Sequence, residues 1–410
     1  MKSYIEINAE NLLHNLQLFS HHTKKKIMFV VKANAYGHGL TEVIEVTKDL
    51  PFIDYYAVDS LEEALTIKKI TGGKKILVIG WADRQELKEM IANEIEIIIP
   101  SLDQLKKVAE VARRLKTKAR CHFKVETGTS RLGIEPAELL AVFDGRVYDY
   151  IEFTGLYSHF ANIEDTTDHS FARGQLEIFN DVVKKIEPRH NSAPKSENTD
   201  SKQKFYGGAG GGFSKEPPAR RRQENNAPLL KHFSCSASTL LFPDTYFDIV
   251  RVGISAYGFW PSKETYISYI EKNKSRIELK PALSWYAKVA QVKHLKQGEY
   301  IGYGLTYRTF SDARIAVIPV GYYDGYDRQL SSIANIIIKG VKAPVRGRVC
   351  MNMFMAEVTH IKDVKEGDRV ILIGSEGKEK ISADYLADLA GTINYEIVSR
   401  INPLIPRKVV

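Results

Sequence analysis

Five polar side chains interrupt or end the apolar, β-rich runs of this sequence, and their types are those of a site that binds an anion and moves protons. Lys32 closes Ile27-Met28-Phe29-Val30-Val31, where partial burial would disfavour the ammonium and lower its pKa from about 10.4. Arg131 stands in Thr127-Gly128-Thr129-Ser130-Arg131-Leu132-Gly133, where small residues let the backbone turn tightly, and His159 ends Leu156-Tyr157-Ser158-His159-Phe160. Ser236 sits in Ser234-Cys235-Ser236-Ala237-Ser238, where hydroxyls and backbone N–H groups would hold a phosphate or cap a helix. Arg251 lies inside Phe247-Asp248-Ile249-Val250-Arg251-Val252-Gly253, and a guanidinium on a barrel strand needs a partner because it cannot shed its charge. Alone, each has a plainer reading, such as a lysine snorkelling at a strand end or a satisfied core histidine. Together they supply an amine nucleophile, two arginines, an imidazole and a phosphate-compatible loop. That set suits pyridoxal 5'-phosphate, whose aldehyde takes a lysine Schiff base, whose phosphate takes N–H donors and whose ring nitrogen takes a defined partner.

Bringing these residues together requires a repeated unit. From residue 27 to about 253, short β-rich runs alternate with segments of helical period, the pattern of a parallel sheet built from βα units. The runs cover residues 27–32, 55–58, 76–80, 95–100, 119–125, 151–160, 231–238 and 247–253. Ser60 with Glu63 and Ser101 with Gln104 match capping boxes, in which the Ser oxygen and the later carboxylate or amide satisfy free N–H groups. The pattern predicts a closed (β/α)8 barrel of the TIM type, with its active site at the C-terminal strand ends. An open doubly wound sheet is the alternative, and no G-x-G-x-x-G follows the first run to support it. Beyond residue 280 strand follows strand between Gly- and Pro-containing turns, with one late helix near residues 382–390, which predicts an all-β C-terminal domain. The expected division is a barrel over 8–270 and a β domain over 271–410 joined by strand 1–7. Residues 190–228 hold a glycine cluster, paired prolines and Arg220-Arg221-Arg222 with almost no aliphatic residues, and are expected to be a disordered surface insertion.

Composition narrows the partners. The 410 residues carry 58 Lys+Arg against 50 Asp+Glu, a net +8 spread along the chain without a basic tail or helix face, so no nucleic-acid partner is indicated. Cys121, Cys235 and Cys350 form no C-x-x-C pair, which excludes a disulfide framework and a zinc ribbon and fits a reducing compartment; no metal site is expected. The N-terminal stretch lacks the apolar core of a signal peptide, and no apolar run approaches the ~20 residues that cross a bilayer. A cytoplasmic protein is expected.

Val31-Lys32-Ala33-Asn34-Ala35-Tyr36-Gly37-His38-Gly39 resembles the pyridoxal-phosphate attachment segment of bacterial alanine racemases. The resemblance continues in family order through Arg131-Leu132-Gly133, Tyr157-Ser158-His159-Phe160, Arg251-Val252-Gly253-Ile254, Gly302-Tyr303-Gly304, Gly321-Tyr322-Tyr323-Asp324-Gly325, Gly347-Arg348-Val349-Cys350-Met351 and Asn394-Tyr395-Glu396. It implies a fold-type III enzyme that interconverts L- and D-alanine for peptidoglycan, as a head-to-tail homodimer in which each subunit completes the other's site. It further implies that Lys32 forms the internal aldimine and handles the D face, while Tyr303 arrives from the other subunit and handles the L face, a two-base mechanism on the external aldimine. A tyrosine of pKa about 10 needs positive neighbours to act as a base, and the resemblance offers His159 and Arg251. Arg251 would face the pyridine nitrogen and, by discouraging its protonation, suppress transamination. Tyr36, Ser236, Gly253, Ile254 and Tyr395 would hold the phosphate, Arg131 the ring hydroxyl and substrate carboxylate, and Met351 that carboxylate through its N–H. Tyr322 would line the substrate entrance. Lys124 matches a lysine often carbamylated in the family.

Two departures stand out. Cys235 takes the place of a common Asn before the phosphate-binding serine, which predicts weaker cofactor binding, and the 190–228 insertion has no counterpart in the family pattern. Pyridoxal-dependent decarboxylases of basic amino acids share the architecture but place a carboxylate at the ring nitrogen where this chain has Arg251. A non-catalytic pyridoxal-phosphate carrier of barrel type would lack the β domain and Tyr303. Discrimination against serine is not set by these residues, since a pocket for alanine rejects an added hydroxyl only modestly.

Overall fold

The structure, a computed structural model, describes residues 1–143, 148, 150–191, 228–273 and 277–410. Most of the expected insertion, residues 192–227, therefore lies outside the described residues; His190 and Asn191 close the helix Ser170–Asn191.

The first strand, β1 (Ser3–Ile7), alternates buried and half-buried residues and precedes eight strands of a second sheet. These are β2 (Lys26–Val30), β3 (Ile53–Val58), β4 (Lys75–Val78), β5 (Glu96–Ile99), β6 (Ala119–Lys124), β7 (Ile151–Tyr157), β8 (Leu230–His232) and β9 (Ile249–Val252). Their spatial order is β8-β7-β6-β5-β4-β3-β2-β9 and every pairing is parallel, so the eight β-rich runs build the expected barrel. The pleat sorts the side chains. Ile27, Phe29, Ile97, Ile99, Cys121 and Phe123 join the core under the helices, while Met28, Tyr55, Leu77, Ile98 and Ile249 fill the barrel interior.

Between β8 and β9 there is no regular ladder among the described residues, and isolated backbone and side-chain bonds close that seam. The Lys231 N–H donates to the Asp248 carboxylate at 2.7 Å, the Asp248 N–H to the Lys231 carbonyl at 3.1 Å, and Arg251 Nη1 to the His232 carbonyl at 3.0 Å. The reason is the brevity of β8. The run 231–238 is expected to be strand throughout, but the chain leaves the sheet after His232 and starts a helix at Ser236–Leu241. The Ser238 hydroxyl accepts from the Cys235 N–H at 2.9 Å and so favours the turn over a longer strand. Likewise the first and sixth barrel strands stop at Val30 and Tyr157, short of Lys32 and His159.

The capping boxes form only in part. Ser60 and Ser101 accept from the Glu63 and Gln104 N–H groups, at 3.3 and 3.1 Å. The Glu63 carboxylate instead accepts from the Asn34 N–H at 3.0 Å and the Asp59 N–H at 3.1 Å, and Gln104 donates to the Ala82 carbonyl at 2.8 Å.

Beyond the barrel, β10 (Leu283–Lys288) pairs antiparallel with β1 and with Arg369–Glu376 inside a strand-rich sheet. β1 also pairs parallel with Arg407–Val409, so both ends of the chain lie side by side. Trp285 is fully buried and its indole donates to the Ser3 hydroxyl at 2.8 Å, tying the pair. The chain's end also touches the barrel: Arg407 donates to the Gly37 carbonyl at 2.9 Å. A side chain at Gly37 has no room, because a Cβ there would sit 1.9 Å from the Val398 carbonyl oxygen, and φ is +80°. Gly37→Ala is therefore expected to destabilise the protein by about 2 kcal/mol or more in denaturant unfolding, through backbone collision together with left-handed strain.

Candidate active site

A cavity of about 730 Å³ opens at the C-terminal ends of the barrel strands. Nine residues singled out from sequence line it together: Lys32, Tyr36, Arg131, His159, Ser236, Arg251, Gly253, Ile254 and Tyr395. Lys124 and Cys235 line it as well.

Lys32 owes its place to a strained turn. After β2 the backbone enters a left-handed turn, with φ of 54°, 54°, 52° and 52° at Ala33, Asn34, Ala35 and Tyr36. Such a conformation costs roughly 1–2 kcal/mol per residue for L-amino acids. Several contacts hold it. Glu63 takes the Asn34 N–H, the Asn34 side chain accepts from the Leu40 N–H at 2.8 Å, and the Gly39 N–H donates to the Asn34 carbonyl at 3.0 Å. His38 packs on Tyr257 with ring centroids 4.4 Å apart. The turn brings the half-buried Lys32 and Tyr36 to the same cavity.

One part of the lining is rich in hydroxyls. Ser236 Oγ accepts from the Gly253 N–H at 3.1 Å, and a Cβ at Gly253 would lie 2.7 Å from the Tyr36 hydroxyl. Burial raises the pKa of Tyr36 and of Tyr395, so both phenols remain protonated donors. The Tyr395 hydroxyl donates to Glu164 at 2.9 Å. Sequence reasoning did not single out Glu164; burial raises its pKa against the lowering effect of that hydrogen bond. Burial also pushes the Cys235 thiol up to about 11, so it stays a neutral thiol.

The other part is cationic. Burial, reinforced by Arg131 and Arg251, pushes Lys124 down to about 8. Arg251 is buried, which lowers it to about 10 and still leaves it charged at neutral pH. Its Nη2 donates to the carbonyls of Ser158 at 2.8 Å and Phe233 at 3.0 Å and approaches His159 Nδ1 at 3.2 Å. Its Nη1 donates to the His232 carbonyl at 3.0 Å and to His232 Nδ1 at 2.7 Å. Five acceptors thereby share the four terminal hydrogens, and none of these bonds uses Nε–H. Burial, then the positive charges of Arg251, Arg131, Lys124 and Lys32, hold His159 well below its usual pKa. That low pKa disfavours the positive His159 that the resemblance offered; because a guanidinium only donates, the neutral ring would accept from Arg251 at Nδ1 and carry its hydrogen on Nε2.

Three sequence-derived positions lie elsewhere. Tyr303, Met351 and Tyr322 are not among the residues lining this cavity; they stand on the strand-rich domain, 74%, 56% and 43% exposed. The cavity by itself offers an amine, three further cationic side chains, phenol and serine hydroxyls, and a side-chain-free floor at Gly253. The buried Tyr157 hydroxyl also lines it without a hydrogen-bond partner. This donor set fits an anionic, planar aldehyde of the pyridoxal phosphate kind.

Fold and site are those of an amino-acid racemase built from a barrel and a β domain, and the comparisons agree. Residues 7–199 match the alanine racemase N-terminal domain and residues 282–409 its C-terminal domain. The chain is 33% identical over 410 residues to an alanine racemase of Leptospira interrogans serovar copenhageni, covering 100% of this chain and 96% of that protein. It is 35% identical over 386 residues to one of Clostridium perfringens, covering 94% and 89%. The solved alanine racemase of Clostridium difficile superposes with a TM-score of 0.83 at 28% identity, covering 100% of this chain and 96% of that one. The chain belongs to the alanine racemase family.

Three histidines held below their ordinary pKa give the fold a predictable acid response. Burial lowers His38 to about 4 and holds His159 and His232 well below 6.5. The unfolded chain therefore binds protons that the folded one refuses, so stability is complete above pH 6.5 and is lost as pH falls toward 4. Each such histidine contributes a slope of about 1.4 kcal/mol per pH unit. Denaturant midpoints between pH 7 and pH 4.5 are expected to fall steeply, and His38→Gln is expected to flatten the fall; a profile flat to pH 5 contradicts the burial.

Proposed function

We propose that this protein interconverts L-alanine and D-alanine with pyridoxal 5'-phosphate as cofactor. The observation that carries the reading is the convergence of Lys32, Arg131, Arg251, Ser236, Tyr36 and Tyr395 on one cavity. Ser236, Tyr36, Tyr395 and the backbone at Gly253 and Ile254 would hold the phosphate, Lys32 the aldehyde carbon, Arg131 the ring hydroxyl and Arg251 the ring nitrogen. When bound, this cofactor withdraws electrons from Cα of an amino acid and acidifies its hydrogen. Lys32 Nζ then serves as proton acceptor or donor on one side of Cα. Arg251 donates its free Nε–H, so the group facing it must be an unprotonated acceptor, which restrains transamination in favour of return of the proton to Cα. A ring nitrogen that would meet a guanidinium at Arg251 favours racemisation over the decarboxylase reading, whose chemistry wants a carboxylate at that place.

The second base is the Tyr303 phenol of a second copy. Its exposure on the strand-rich domain, away from the cavity of its own chain, supports a homodimer with shared sites. Met351 and Tyr322 are proposed to enter in the same way, the first to hold the substrate carboxylate by its N–H and the second to line the entrance. A neutral His159, donating through Nε2–H and fixed by Arg251, would stabilise the phenolate. Lys124 at a pKa of about 8 is partly unprotonated at neutral pH, the form that takes up carbon dioxide, and we propose that it is carbamylated beside Arg131. No described helix is long and apolar enough to cross a membrane, and we propose that the enzyme works in the cytoplasm, supplying D-alanine for peptidoglycan. The domain boundaries that follow are a barrel over 8–270 and a β domain over 271–410 with strand 1–7.

Subunit mixing tests the reading. Lys32→Ala and Tyr303→Phe are each expected to abolish most conversion of L-alanine to D-alanine, assayed with D-amino-acid oxidase. Unfolded and refolded together with cofactor, the two variants are expected to recover about a quarter of wild-type activity, because half the dimers would be mixed and each would carry one intact site. No recovery from two folded, cofactor-binding variants would refute the shared site.

A further inference from the structure

The barrel interior holds a run of polar groups that no step above uses. Glu96 on β5, His122 on β6 and His232 on β8 are buried, and each is bonded to the next. Glu96 Oε2 is 2.7 Å from His122 Nε2, His122 Nδ1 is 2.8 Å from His232 Nε2, and His232 Nδ1 is 2.7 Å from Arg251 Nη1. The run skips β7. It can do so because β7 presents Gly155 opposite His122, and a Cβ there would lie 2.3 Å from His122 Nδ1. Burying three polar side chains among apolar residues is costly unless every bond is made, and here every one is.

The geometry allows one arrangement of protons. A guanidinium has only donors, so His232 Nδ1 must be a lone pair. His232 is then either unprotonated on that side with its hydrogen on Nε2, or it loses the bond to Arg251. With Nε2–H donating, His122 Nδ1 must accept, which places the hydrogen of His122 on Nε2, facing Glu96. A carboxylate at Glu96 can only accept, and this fixes the whole sequence. Its burial opposes ionisation, but the hydrogen bond from His122, the charge of Arg120 and the hydrogen bond from Thr154 outweigh it and hold its pKa below the usual carboxylate range. Tyr55, Thr154 and Arg120 complete its shell, Thr154 at 3.0 Å and Arg120 at 3.3 Å.

We propose that Glu96, acting through His122 and His232, is a positioning residue for Arg251: it fixes the tautomers that present a lone pair to Nη1 and so aims Nε–H at the cavity. Reversing the tautomers would put an N–H against an N–H at His232 and turn the guanidinium. The inference rests on the proposed placing of the ring nitrogen against Arg251.

The test combines a double-mutant cycle with direct sight of the protons. Glu96→Gln replaces the obligatory acceptor by an amide that can accept or donate, and Arg251→Gln removes the group it serves. Each holoenzyme is incubated with L-alanine, and the fraction of cofactor converted to the pyridoxamine form per turnover is read from its absorbance. Glu96→Gln is expected to raise that fraction severalfold with KM for alanine little changed, and to add nothing in the Arg251→Gln background. A rise with Arg251→Gln but none with Glu96→Gln, or fully additive rises, overturns the relay. No change with Arg251→Gln overturns the placing of the ring nitrogen instead. If Glu96→Gln does not fold, neutron diffraction from the wild-type holoenzyme decides: hydrogen on Nε2 and none on Nδ1 of both His122 and His232 is expected, and hydrogen on either Nδ1 refutes the proposal.

Discussion

One buried guanidinium constrains much of this molecule. Arg251 cannot be neutralised at physiological pH, so a chain that places it inside a barrel must surround it with acceptors. It does so by cutting β8 short: the carbonyls of Ser158, His232 and Phe233 turn inward as the strands end and take the guanidinium hydrogens. The same contacts help close the one seam of the barrel that lacks a ladder among the described residues. A side chain proposed to set the reaction's course thus also joins β8 and β9, the two end strands of the sheet, and the site and the barrel's closure are not separable.

The second constraint is the left-handed turn after β2. Such a turn stores several kcal/mol in a segment of five residues, and it persists only because the surroundings over-determine it. Glu63 reaches it from the helix Leu61–Thr71 that follows β3 and Arg407 from the last strand, while Gly37 lets the Val398 backbone come to contact distance. The far end of the chain therefore supports the lysine near its beginning. Parallel pairing of β1 with Arg407–Val409 supplies the stiffness for this, since it anchors both ends to one sheet.

The barrel was legible because eight short β-rich runs alternate with segments of helical period, and each run has its strand. Their C-terminal limits were not. The segment 231–238 has the residues of a strand, yet Ser238 and Thr239 satisfy the Cys235 backbone locally, and local hydroxyl bonds outcompete a ladder that has no neighbour to pair with. The cavity's lysine, arginines and serine could be found because polar residues at the ends of apolar runs are rare. Glu96 and His122 have the same signature in the middle of their runs, but a single polar residue there is as readily a satisfied core group, and only spatial neighbours reveal that they continue one another across Gly155. Glu164 gave no signal, lying in a polar loop among other acids. The pKa of His159 was also beyond sequence, because it depends on burial and on four cations brought from β6, β9 and the segments after β2 and β6.

The cavity's electrostatics bear on the proposal that a second copy completes the site. Lys32, Lys124, Arg131 and Arg251 face a single space whose lining acids, Asp59, Glu164 and Asp165, lie with the hydroxyl-rich side or the rim. A phosphate relieves part of that repulsion, and a carbamate on Lys124 would relieve more, yet neither supplies a proton acceptor on the face of Cα opposite Lys32. The barrel's own candidates fail for physical reasons. His159 is spent on Arg251, Tyr157 is so buried that its pKa rises, and Glu164 is occupied by Tyr395. An acceptor brought from outside can be ionised by the cations already present without having to be stored next to them during folding. Tyr303 is the residue proposed for that place: it is exposed between Gly302 and Gly304, whose φ of 74° and 75° shape the turn, and on that proposal it would enter the cavity's positive field only when two folded copies join.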